Sequence, residues 1–146
     1  PQYRAAIANG DDALALRVYK ESLRIFPPAY MLAREAVMSC ELGGQKIKKG
    51  SQVIVGVKQL HHHEGFHAEP AEFQPQRFTK PVEAFMPFGA GPKACIGEGL
   101  AYLEALTIIK IFCRTFEFEN PEQIIKSYPL VTLHPAKGQI LQVRTL

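Results

Sequence analysis

Between Glu98 and Phe116 the chain carries apolar residues nearly all the way round a helical period: Leu100, Ala101, Leu103, Ala105, Leu106, Ile108, Ile109, Ile111 and Phe112. A helix apolar on every side has to be buried among other elements. This demand constrains the fold more than any other feature of the sequence. The remaining pattern offers one further helix and a few short strands, too little surface to cover such a helix. The chain is therefore expected to be part of something larger. It has 146 residues, one domain's worth on size alone, and begins at Pro1 rather than at a methionine.

The other elements follow from local signals. Asp11-Asp12 reads as a helix cap, and Ala13 to Phe26 follows with apolar Leu16, Tyr19, Leu23 and Phe26 before Pro27-Pro28 stops the helix. From Ala29 to Val57 the pattern is that of strands, with Gly43-Gly44 as a two-residue hairpin turn. Lys58 to Phe85 is polar, has three prolines and little periodicity, and is long for a loop; such segments are usually functional or held by a partner. Leu130 to Leu133 and Gln139 to Val143 read as a hairpin about the turn 134–138. No apolar run is long enough for a bilayer span. The net charge of +3 comes from basic and acidic residues mixed along the chain, without the Lys/Arg block of a nucleic-acid arm. Cys40, Cys95 and Cys113 cannot all pair and lack C-x-x-C spacing, so a disulfide scaffold or zinc ribbon is not expected and the compartment reads as reducing.

The chemistry concentrates in the segment from Phe85 to Gly97. Glycines at 89, 91 and 97 permit positive φ and close approach to a flat partner, and the loop delivers Cys95 to the start of the apolar helix. Unpaired N–H groups and the positive end of the helix dipole there stabilise a thiolate, and Lys93 adds positive charge. A thiolate on a rigid loop beside Phe88 suits a soft metal centre or a nucleophile; a small core cysteine is the alternative. Glu21 and Arg24 share a helix face at i,i+3, and Arg77 can add a second fork to the same carboxylate. His61, His62, His63 and His67 have metal-ligating chemistry but no completing Cys, Asp or second His cluster, and read as a surface stretch. Cys40 and Cys113 read as small apolar fillers.

Phe88-x-x-Gly91-x-x-x-Cys95-x-Gly97 resembles the haem-binding loop of the cytochrome P-450 family, the haem-thiolate monooxygenases. Glu21-Ser22-Leu23-Arg24, followed by Phe26-Pro27-Pro28, resembles the family's E-x-x-R helix, and Phe73-Gln74-Pro75-Gln76-Arg77-Phe78 its P-E-R-F region. The three motifs stand in the family's order, and the resemblance covers nearly the whole chain. It implies a mainly α fold with small antiparallel β-sheets, the C-terminal part of a cytochrome P-450-like domain, with residues 1–146 as its haem-binding portion and the N-terminal part absent.

The resemblance further implies haem b as cofactor and O2 as co-substrate, with Cys95 as the axial ligand of the iron. Phe88, Gly89 and Gly97 would line the proximal side, and Lys93 and Arg34 would hold the propionates. Lys93 stands where the family usually has arginine, so the charge survives and the bidentate fork does not. Glu21, Arg24 and Arg77 would form a structural network under the haem, and Ala29, Tyr30, Met31 and Leu32 would line the substrate pocket, with Ser127 to Val131 as a second lining segment. Implied partners are a reductase or a ferredoxin or flavodoxin, a small apolar substrate and the missing N-terminal portion, with no nucleic acid. Lys93, Lys110 and Arg114 are candidates for docking an acidic redox partner. The implied place is the cytoplasm or the cytosolic face of a membrane, not secretion. Nothing here matches the family's A-G-x-x-T oxygen-activating helix, and there is no tryptophan for the propionates. A haem-thiolate peroxygenase or isomerase, or a non-catalytic haem-binding fragment, is thus an alternative to the monooxygenase.

Overall fold

The computed structural model describes residues 2–119 and 126–146. A short helix, α1 (Arg4–Ala8), leads into α2 (Asp12–Ile25). Asp11 caps α2, its Oδ1 accepting the Leu14 N–H at 2.8 Å. The two prolines at 27 and 28 then turn the chain into β1 (Leu32–Glu35). β2 (Cys40–Leu42) and β3 (Gln45–Ile47) form a tight hairpin. Gly43 and Gly44 take φ of 56° and 78° in its turn, a conformation that side chains resist and that matches the twist of the flanking strands. β4 (Gln52–Val55) returns antiparallel to β1, with Leu32 opposite Val55 and Glu35 opposite Gln52.

The long polar segment is not structureless. It opens with α3 (Val57–His61) and holds a 3₁₀ turn at Pro75–Thr79. A second 3₁₀ turn, Gly91–Lys93, precedes the long α4 (Glu98–Thr115). β5 (Phe116–Phe118) follows it at once.

The hairpin expected about 134–138 does not form. β6 (Ser127–Pro129) pairs with β7 (Leu133–Pro135), turning over residues 130–132, where the Leu130 N–H donates to Thr132 O at 3.0 Å. The other expected arm ends in β8 (Val143–Thr145), which pairs with β5. The local turn signal loses to the open strand edge that β5 presents at the end of α4.

The apolar core is small: Ile7, Leu14 and Ala15, with Tyr3, Val18, Leu106, Ile109 and Cys113 packed against them. It lies where α1, α2 and one side of α4 meet. The rest of α4 stands open. No residue of α4 is buried, and Leu103 is 65% exposed, with Leu100, Ile108 and Ile111 also exposed. The sequence demand for burial is therefore unmet, because nothing among the described residues covers that side. No helix among them is long and apolar enough to cross a membrane.

Candidate haem-thiolate site

The best-buried part of the molecule is polar. Glu21 and Arg24 are fully buried on α2, one turn apart. Arg24 Nε and Nη2 fork onto the Glu21 carboxylate at 2.8 and 2.9 Å. Arg77 Nε reaches Glu21 Oε1 at 3.1 Å, and the Gln74 N–H donates to the same oxygen at 2.9 Å. Arg24 also binds the carbonyls of His61, Pro70 and Glu72, and Arg77 Nη2 that of Glu69 at 2.8 Å. The long polar segment is thus wrapped around two guanidinium groups, which take up carbonyls that have no ladder partner.

The cysteine loop sits against this network. Its Gly89 and Gly91 have φ of +77° and +71°, where a side chain would be strained. Three backbone bonds shape it: Gly89 N–H to Met86 O, Ala94 N–H to Gly91 O, both at 3.0 Å, and Cys95 N–H to Phe88 O at 2.9 Å. Cys95 is exposed, and Ile96 beside it is wholly exposed. Gly97 caps α4 without a side-chain bond, and the first N–H of the helix, that of Glu98, donates to the Cys95 carbonyl at 3.4 Å. A Cβ at Gly97 would come within 3.7 Å of Cys95 Sγ. Phe88 leans on Tyr102 of α4 at 5.4 Å between ring centroids, and Tyr102 meets Tyr19 of α2 edge-on at 5.5 Å. Burial, with Glu98 nearby, pushes the Tyr102 phenol up to about 12.

The other expected site residues are placed as follows. Arg34 and Lys93 are exposed and have no carboxylate partner among the described residues; Arg34 Nη1 donates to the carbonyl of Ala33 at 2.9 Å. In the segment from Ala29 to Leu32 only Met31 is exposed, the others being half-buried. Tyr30 Oη donates to Leu130 O at 2.8 Å, which joins this segment to the second lining candidate at 127–131. Leu32 Cδ1 lies 3.5 Å from where a Gly89 Cβ would stand, so the strand and the cysteine loop are neighbours. Lys110 is paired with Asp12 at 2.8 Å, and Arg114 Nε donates to Ala8 O at 3.1 Å.

The histidine stretch is not a surface run throughout. His61 and His67 are buried, and no group of three ligating side chains gathers among the described residues. His61 stacks on Phe85 at 5.4 Å, its Nε2 accepting from the Met86 N–H at 3.0 Å and its Nδ1 facing Arg24 O at 3.3 Å. Desolvation, with the charge of Arg24 and the neighbouring His67 adding to it, brings the imidazole down to about 4. Its sequence signal was a histidine directly after an apolar Leu60, hidden by the two exposed-looking histidines that follow.

The donor set suits haem iron: one exposed soft sulfur, glycine backbone beside it, and two cations, Lys93 and Arg34, without a carboxylate partner among the described residues. The cytochrome P450 family model matches residues 14–142, and the chain belongs to that family. It is 31% identical over 148 residues to a putative cytochrome P450 137 of Mycobacterium tuberculosis, covering 97% of this chain and 31% of that protein. It is 41% identical over 109 residues to the thromboxane-A synthase of Sus scrofa, covering 70% and 20% respectively. The crystal structure of the cytochrome P450DA heme domain superposes with a TM-score of 0.82 at 30% identity, over 90% of this chain and 31% of that one. The chain thus spans about a third or less of the length of these relatives.

Proposed function

We propose that this chain is the proximal, haem-binding portion of a haem-thiolate monooxygenase, with Cys95 as the axial ligand of haem b. The observation that carries this reading is the exposed Cys95 at the start of α4, on a loop whose Gly89 and Gly91 hold positive φ. Bound haem supplies the activation of O2 and the transfer of one oxygen atom to an apolar substrate.

The chain's own residues do the rest. Backbone N–H groups beyond Cys95, in the first turn of α4, donate to the sulfur and temper its charge. Phe88, whose carbonyl accepts the Cys95 N–H, packs beside the thiolate. Lys93 and Arg34, both exposed and without a carboxylate partner among the described residues, hold the propionates. Glu21, Arg24 and Arg77 keep the loop's platform fixed, and Ala29, Tyr30, Met31 and Leu32 border the substrate. The open side of α4 and the length of the relatives both support a distal portion contributed from outside this chain. Electrons come from a reductase, ferredoxin or flavodoxin.

Thiol protection tests the ligand assignment. Cys95 and Cys40 are both exposed, so iodoacetamide should label both in the apo protein. Added haem should protect Cys95 and leave Cys40 reactive. Equal labelling of Cys95 with and without bound haem contradicts the assignment.

A further inference from the structure

We propose that His61 is a positioning residue for the cysteine loop, acting as a neutral peg between the backbone of α2 and the backbone that leads to Cys95. The ring is fully buried and lies between two fixed groups. On one side is Arg24 O, 3.3 Å from Nδ1. On the other is the Met86 N–H, which donates to Nε2 at 3.0 Å. An amide can only donate, so Nε2 carries no proton, and Nδ1 holds the ring's proton and donates it to Arg24 O. The backbone thus selects one tautomer of one protonation state.

The peg stands at the head of a chain of hydrogen bonds that ends on the cysteine. Met86, held by His61, accepts the Gly89 N–H at 3.0 Å and so closes the first turn of the loop. Phe88, inside that turn, accepts the Cys95 N–H at 2.9 Å. Arg24 contributes twice at the other end, since its Nη1 also donates to His61 O at 2.9 Å. Backbone and side chain of Arg24 therefore grip His61 from both sides. The Phe85 ring, stacked on the imidazole and edge-on to Phe78 at 4.8 Å, fixes the remaining freedom. No other side chain of the described residues links the Glu21–Arg24 platform to the start of the loop by hydrogen bonds. The platform would brace the α3 and Pro75–Thr79 segments without His61, but it would not set the height of Met86.

The importance of this peg for chemistry rests on the reading of Cys95 as the iron ligand. The peg itself does not, so the two fail separately. Hydrogen exchange read by mass spectrometry on the whole chain, without haem, tests it. His61→Phe keeps the ring, its volume and the stack on Phe85 but has no acceptor for the Met86 N–H. His61→Gln gives up the ring and restores an acceptor oxygen at the same reach. Exchange in the peptide covering 85–97 should rise tenfold or more in His61→Phe while the 103–115 peptide of α4 stays as in the wild type. His61→Gln should return the loop to within about threefold of wild type. Unchanged loop exchange in His61→Phe overturns the proposal. So does loosening of both peptides together in either variant, which marks a general core residue, or a loop left loose in His61→Gln with α4 intact, which marks the ring rather than the acceptor.

Discussion

At the scale of single residues, the molecule puts its most costly desolvation into charged and polar groups. Glu21 and Arg24 are both out of water, and Arg24 makes its hydrogen bonds to one carboxylate and three carbonyls. Removing one member leaves its partner charged, buried and unpaired. Arg24→Ala should therefore cost about 3–5 kcal/mol, read from the urea unfolding midpoint. A loss under about 1 kcal/mol would mean the pair behaves as a surface ion pair. A second consequence concerns acid. His61 takes up a proton near 6.5 when unfolded but only at about 4 when folded. Between those values the unfolded chain binds a proton that the native chain refuses, so stability falls as the pH drops from about 6.5 towards 4. The slope approaches about 1.4 kcal/mol per pH unit for this one group. His67 is lowered by burial too and adds a fall of the same sign. Urea midpoints at several pH values should show the decline, and His61→Gln should flatten it. The charge network was legible in the sequence because helical spacing alone places Glu21 and Arg24 together. His61 was not, because its burial depends on Arg24 and Met86, 37 and 25 positions away, and a run of histidines gives no local sign of which one turns inward.

At the scale of elements, caps and breakers were readable. Asp11 starts α2, the paired prolines follow its end, and the double glycine makes the β2–β3 turn, each through a conformational preference of the residue itself. The C-terminal strands were misread because their pairing is decided by what lies next to them in space. β8 adds to β5, which exists where it does only because α4 ends there. The α4 pattern is that of a helix that should be buried, yet none of its residues is, and Leu100 and Leu103 stand in the open. Such a stripe wants cover. The isolated chain should therefore bind a hydrophobic dye or self-associate at micromolar concentration. The double variant Leu100→Glu/Leu103→Glu should reduce this while shifting the urea midpoint little, within about 0.5 kcal/mol, since neither side chain is packed. A large loss of stability would show that these residues are already covered in solution.

At the scale of the whole molecule, the proposed function makes the chain one side of a haem pocket. The buried charges, the long wrapped segment and the cysteine loop form a single platform that presents one sulfur, with Lys93 on the loop and Leu32 beside it. About a third of the length of its relatives is enough to hold this platform. The carbon monoxide difference spectrum of the reduced holo protein, recorded for wild type beside Cys95→Ala, tests the central assignment most directly. A strongly red-shifted Soret band in the wild type that is lost in Cys95→Ala is the predicted result. The same red-shifted band in Cys95→Ala would contradict it.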